Sequence, residues 1–126
     1  MSRIEHFAIY GEDSRALKDF YVSALGMKVV YDSGKTPPAY FLVDDHGMAI
    51  EVLARPEEEK GVNQRWVCHL AFWFEDIAAK KAELEALGIV FEAETAVDND
   101  ELKTYFFKDP AGNRAQIVWR KRGLTD

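Results

Sequence analysis

The sequence has a single cysteine, Cys68, so no internal disulfide can staple it, and packing or a bound metal must supply any cross-link. Cys68 itself is expected as a small buried residue. An excess of positive charge is also missing. With 16 Lys and Arg against 22 Asp and Glu, the formal net charge is −6, opposite in sign to the usual footprint of a nucleic-acid binder. The one basic cluster, Arg120, Lys121 and Arg122, reads as a solvated end. No apolar run approaches the ~20 residues that span a bilayer, and the opening MSRIEHF has no apolar core of a secretory signal. The expectation is a cytoplasmic protein with a small-molecule partner and no nucleic-acid or membrane partner.

What is present suits an ordinary globular chain: 48% hydrophobic and 30% charged residues. A length of 126 residues allows one domain, which buries roughly two-thirds of its unfolded surface. That domain is written twice. IEHFAIY (4–10) and VCHLAFW (67–73) align position by position at an offset of 69 − 6 = 63. Each is followed by a helix signal. Asp13/Ser14 precedes Leu17, Phe20, Tyr21 and Ala24 at helical spacing and Gly26 ends the run; Asp76 precedes Ile77, Leu84 and Leu87, and Gly88 ends it.

Apolar strand-like runs then follow, MKVVY (27–31) and IVFEA (89–93), and each copy closes with a hairpin. AYFLVDDHGMAIEVL (39–53) matches TYFFKDPAGNRAQIVW (104–119), so that Tyr40 meets Tyr105, Gly47 meets Gly112 and Glu51 meets Gln116 at 116 − 51 = 65. The change of offset is a two-residue insertion in the second copy. The pattern predicts a single α+β domain over 1–126, made of two tandem βαβββ modules. Module 1 covers 3–54 and module 2 covers 66–120, with a polar linker over 55–65 and a tail over 121–126.

Four polar residues stand out in this frame. Strand alternation puts His6 with Ile4, Ala8 and Tyr10, and His69 with Val67, Ala71 and Trp73, each beside a small alanine that leaves room for an imidazole. Glu51 and Gln116 occupy matching places in the last strand of each module, and a carboxylate amid apolar neighbours needs a partner or a metal. Two His, one Glu and one amide oxygen make a ligand set for a divalent ion. His46 reads as a solvated turn residue, and Tyr40, Trp66, Tyr105 and Trp119 as core. Trp73 shares the His69 face and is the candidate substrate contact.

These residues resemble the vicinal oxygen chelate superfamily, the glyoxalase/bleomycin-resistance/dioxygenase group, through HFAIY…FYVSALGMKVV, HLAFWFEDI…LEALGIVFEAE and YFFKDPAGN. The resemblance implies curled mixed sheets forming a metal or ligand cavity, completed by a homodimer. In glyoxalase I-like members it implies metal ligands at His6, Glu51, His69 and the place of Gln116, for a divalent Ni, Zn, Co, Mn or Fe ion. It further implies a lyase or isomerase acting on a small carbonyl or thiol-adduct substrate. The usual fourth ligand is a glutamate. An amide ligates through oxygen but accepts no proton near neutral pH, which leaves Glu51 as the candidate catalytic base. Two other readings stay open: a non-enzymatic binder of a bleomycin-like cationic drug, and an iron-dependent dioxygenase-like enzyme using His6, His69 and Glu51.

Overall fold

In the computed structural model, residues 5–56 and 69–124 are described. Cys68, Trp66, Val67, Ile4 and most of the expected linker lie outside the described residues. The first strand, β1 (His6–Gly11), stops where Asp13 turns its carboxylate to accept the Ala16 amide at 3.0 Å, satisfying a free N–H of helix α1 (Ser14–Leu25). Gly26 ends α1 in the left-handed region at φ 73, where a side chain would be strained.

The chain continues through β2 (Lys28–Asp32), β3 (Tyr40–Val43) and β4 (Ala49–Ala54). It then repeats the order as β5 (Leu70–Trp73), α2 (Ile77–Ala86), β6 (Val97–Asp98), β7 (Leu102–Lys108) and β8 (Arg114–Arg120). Asp76 caps α2 through the Ala79 amide, as Asp13 caps α1. The result is the expected α+β fold of two tandem βαβββ modules. The first sheet has the order β1-β4-β3-β2 and the second β5-β8-β7-β6. In each, the outer first strand runs parallel to the last, and the other pairings are antiparallel.

Among the described residues the chain divides into two compact units. One comprises residues 5–56 with Asp109–Asn113, and the other residues 69–108 with 114–124. In the first, Leu17, Tyr21 and Ala24 on one stripe of α1 are buried, as are Ile9, Tyr40, Leu42, Ile50 and Val52 on the strands it covers. Each such large side chain contributes about 1.5–3 kcal/mol of apolar burial. The second unit buries Ile77 and Leu84 of α2 together with Tyr105, Phe107, Ala115 and Ile117.

Two expectations are corrected. IVFEA (89–93) forms no strand; the fourth strand of the second sheet is the two-residue β6. Residues 89–93 touch the sheet edge through one backbone bond, from the Glu92 N–H to the Phe106 carbonyl at 2.8 Å. The Glu92 side chain instead turns to Arg114. Leu87 is also not a core residue: it is 61% exposed, because α2 ends at Ala86 and the chain leaves the helix there.

The two hairpin turns are copies. The Asp44 carboxylate accepts the His46 and Met48 amides at 2.9 Å, and the Asp109 carboxylate accepts the Ala111 and Asn113 amides at 2.9 Å. Gly47 and Gly112 share a left-handed φ, 87 and 88. Only the second turn is docked into the first unit. The buried Tyr21 hydroxyl donates to Asp109 Oδ2 at 2.9 Å, as does Asn113 Nδ2, which also reaches the Tyr10 carbonyl at 3.0 Å. Gly11 permits this approach, since a Cβ there would stand 2.8 Å from the Ala111 Cβ.

Candidate functional site

In the first unit, β1 lies beside β4 with Ala8 opposite Glu51, and β3 lies on the other side with Phe41 opposite Glu51. The small Ala8 keeps the space next to Glu51 clear, while His6, one strand repeat away, leans its ring on the edge of Phe41 at 5.3 Å. His6 Nε2 stands 3.7 Å from Glu51 Oε1, and His6 Nδ1 donates to Glu5 Oε1 at 2.8 Å. Neither group is deeply buried; the side chains are 37% and 25% exposed.

That geometry is selective. A carboxylate on Nδ1 holds the ring with Nε2 towards the Glu51 oxygen, as metal-binding histidines are commonly held. At 3.7 Å the pair is too long for a hydrogen bond, and it leaves a gap that a shared cation can bridge. The separation is shorter than two ligand bonds laid end to end, about 4.2 Å, so one ion can touch both. The residues fit a divalent metal.

The second unit repeats the layout with altered chemistry. Ala71 lies opposite Gln116 and Phe106 opposite Gln116, the same registers as Ala8 and Phe41 with Glu51. The exposed His69 meets the edge of Phe106 at 5.0 Å. Gln116 is buried and donates its amide N–H to the Thr104 hydroxyl; its oxygen is the atom that could ligate an ion. Trp73 stands on the His69 side of β5, 52% exposed. Among the described residues no three of His, Cys, Asp and Glu cluster as a ready metal cage. The candidate ligands fall instead in the two units, His6 with Glu51 at 3.7 Å in the first, and His69 and Gln116 each beside Phe106 in the second.

Sequence reasoning placed His6, Glu51 and Gln116 in strands, as they are, while His69 stands one residue before β5; it missed their neighbours. Thr104 sits where the first copy has Ala39, and Arg114 where it has Ala49, both at the offset of 65. Reading the two copies side by side for polar replacements would have found both. Arg114 forms a bidentate pair with Glu92 at 3.0 Å. His46 is exposed in its turn, and Tyr40 and Tyr105 are core, as expected; Tyr105 also donates to Asp98 at 2.9 Å. Burial and then the Asp98 bond push the Tyr105 hydroxyl pKa up.

No helix among the described residues is long and apolar enough to cross a membrane. The family model described as Glyoxalase/Bleomycin resistance protein/Dioxygenase superfamily matches residues 3–117. No curated protein is significantly similar in sequence. Among solved structures, the chain is similar to a glyoxalase family protein from Enterococcus faecalis at 27% identity and TM-score 0.68, covering 94% of this chain and 98% of that one. It is also similar to the fosfomycin resistance protein FosX from Listeria monocytogenes, complexed with Mn(II) and sulfate ion, at 17% identity and TM-score 0.77, covering 99% and 96%. A third likeness is to TnmS3, an antibiotic binding protein from Streptomyces sp. CB03234, at 18% identity and TM-score 0.75, covering 96% and 98%. The likenesses to FosX and TnmS3 speak to fold.

Proposed function

This chain belongs to the glyoxalase/bleomycin resistance protein/dioxygenase superfamily, and from that premise we propose that it is a divalent-metal lyase or isomerase of glyoxalase I-like layout. Its metal donors are His6, Glu51, His69 and the amide oxygen of Gln116. The observation that carries the reading is the repeated register: a histidine, an alanine and a last-strand polar residue recur in both sheets, and in the first the His6–Glu51 pair leaves room for a cation. The manganese in FosX supports it as a property of the fold's members.

When bound, the ion would polarise the oxygens of a small carbonyl or thiol-adduct substrate. Glu51 is the carboxylate of the set and therefore the group that takes a proton from one carbon and returns it to the next. Gln116 binds and orients but moves no proton. Trp73 offers an exposed aromatic wall to the substrate, and a homodimer in the cytoplasm is the working form of this reading.

Metal analysis of protein purified without chelator tests it, together with thermal unfolding in added nickel, zinc, cobalt, manganese or ferrous iron. Bound metal and a raised midpoint are expected. Protein that carries only traces of metal and is stabilised by none of these ions refutes the proposal.

The exposed Trp73 and the charge of −6 favour a second reading, a binding protein for a cationic aromatic drug. Calorimetric titration with bleomycin separates the two: saturable heat from metal-free protein supports the binder, and its absence at high concentration removes it.

A further inference from the structure

We propose that Arg114 is a positioning residue for the His69–Gln116 half of the site, acting through the ring of Phe106; the proposal rests on the metal-enzyme reading above. Arg114 has its side chain only 6% exposed, and its guanidinium lies over Phe106 with Cζ 3.7 Å from the ring centre. Two 3.0 Å bonds to Glu92 fix the guanidinium in its plane, and Glu92 is itself held by the Thr95 hydroxyl at 3.0 Å. The same Phe106 ring meets His69 at 84° between planes and lies directly opposite Gln116 in the β7–β8 ladder. One ring therefore touches the clamped cation and a candidate ligand, and is paired across the ladder with a second.

The first unit shows what this clamp replaces. Phe41 stands in the same relation to His6 and Glu51, but Ala49 occupies the place of Arg114, and Phe41 is propped by the tilted ring of Tyr31 at 5.9 Å. Stability alone does not account for the exchange, because a buried ion pair commonly contributes no more than apolar residues of the same volume. A bidentate guanidinium on an aromatic face contributes direction: it leaves Phe106 one position. In the second unit the ligand is a neutral amide with no charge to draw it to an ion, so its setting matters more.

The test uses two variants, Phe106→Leu and the double variant Arg114→Met with Glu92→Gln. The double variant removes both charges, so that a single truncation does not unfold the chain by stranding a buried carboxylate. The first readout is the His69 imidazole proton signals of the metal-free protein, identified through His69→Gln; the second is titration with Co(II), read by affinity and by visible absorption. The folded double variant is expected to show His69 signals shifted, Co(II) affinity lowered about 10- to 100-fold, and an altered Co(II) spectrum. Phe106→Leu moves the His69 signals by loss of the ring current alone, so the double variant decides: His69 signals unchanged there overturn the proposal. If the starting protein takes no Co(II) while the His69 signals still move, the metal reading fails and the positioning role stands.

Discussion

The two units share one backbone and differ in their polar residues. The registers joining the first, third and last strands of each module, the N-caps and the hairpin turns are duplicated, down to the paired amides on Asp44 and Asp109. Against that common frame, Glu51 corresponds in sequence to Gln116, Ala39 to Thr104, Ala49 to Arg114, and Tyr21 of α1 to Leu84 of α2 at 84 − 21 = 63. The first unit keeps a carboxylate 3.7 Å from a histidine. The second has turned its equivalent into a hydrogen-bonded amide and placed a neutralised Arg–Glu pair next to it. The scaffold is kept by ladder geometry, which tolerates many side chains, and chemistry is free to diverge at the positions that face away from the helix.

The largest test of that contrast is to remove each turn aspartate. Asp109→Ala strands the Tyr21 hydroxyl, the Asn113 amide group and two backbone N–H groups in a buried setting, and a loss of about 3 kcal/mol or more is expected. Asp44→Ala strands two amides that water can reach, for about 1 kcal/mol. Urea unfolding measures both, and equal losses would erase the distinction between the turns.

Next come the last-strand residues. Glu51→Gln should weaken metal binding on the order of 100-fold, at least the effect typical of outer-shell partners. Gln116→Glu, which makes the halves alike, should strengthen it by roughly tenfold, because a dication then meets two carboxylates. Isothermal titration with Mn(II) checks both directions, and equal affinities across the series would detach the polar residues from the metal.

A smaller effect is expected at Gly11, whose place in the second unit is held by Phe74. Gly11→Ala would press a methyl within 2.9 Å of Leu17 and closer still to Ala111, for about 1–2 kcal/mol of overpacking. Unfolding midpoints report it.

The gentlest test is pH. Burial raises the Asp109 pKa, against the lowering effect of the bonds from Asn113, Tyr21 and Ala111. Burial and the nearby Asp109 charge raise Tyr21 well above the usual tyrosine range, so it remains a neutral donor. A carboxyl with a raised folded pKa binds more protons folded than unfolded. Its contribution therefore declines as pH rises from the ordinary aspartate value of about 3.9 through the raised one, and the cost is complete above it. The difference in unfolding free energy between the protein and Asp109→Asn should change over that window and be flat above it. A difference constant with pH would contradict the assigned burial cost.

Much of this was legible in the chain. Asp13, Asp76, Gly26 and the two Asp…Gly turns mark boundaries because each meets a local backbone demand that the residue type alone can satisfy. His6, His69, Glu51 and Gln116 stood out as candidates because alternation and the internal offset give each a matching place in the two copies. The docked turn was not legible. Nothing near Asp109 in sequence signals Tyr21, 88 residues away, and an Asx turn looks the same whether its second oxygen meets water or a phenol. Nor did IVFEA betray that it forms no strand: its apolar pattern is correct for one, but Glu92 serves Arg114 instead.

The sequence by itself determined the doubled βαβββ order and the strand positions of His6, Glu51 and Gln116, since periodicity and caps act over a few residues. Tertiary structure alone decided that one turn is locked into the first unit, that the Gln116 amide rests on Thr104, and that Arg114 is pinned over Phe106. Each of these depends on side chains brought together from separate strands and loops, where space and desolvation choose among partners that the linear order leaves equivalent.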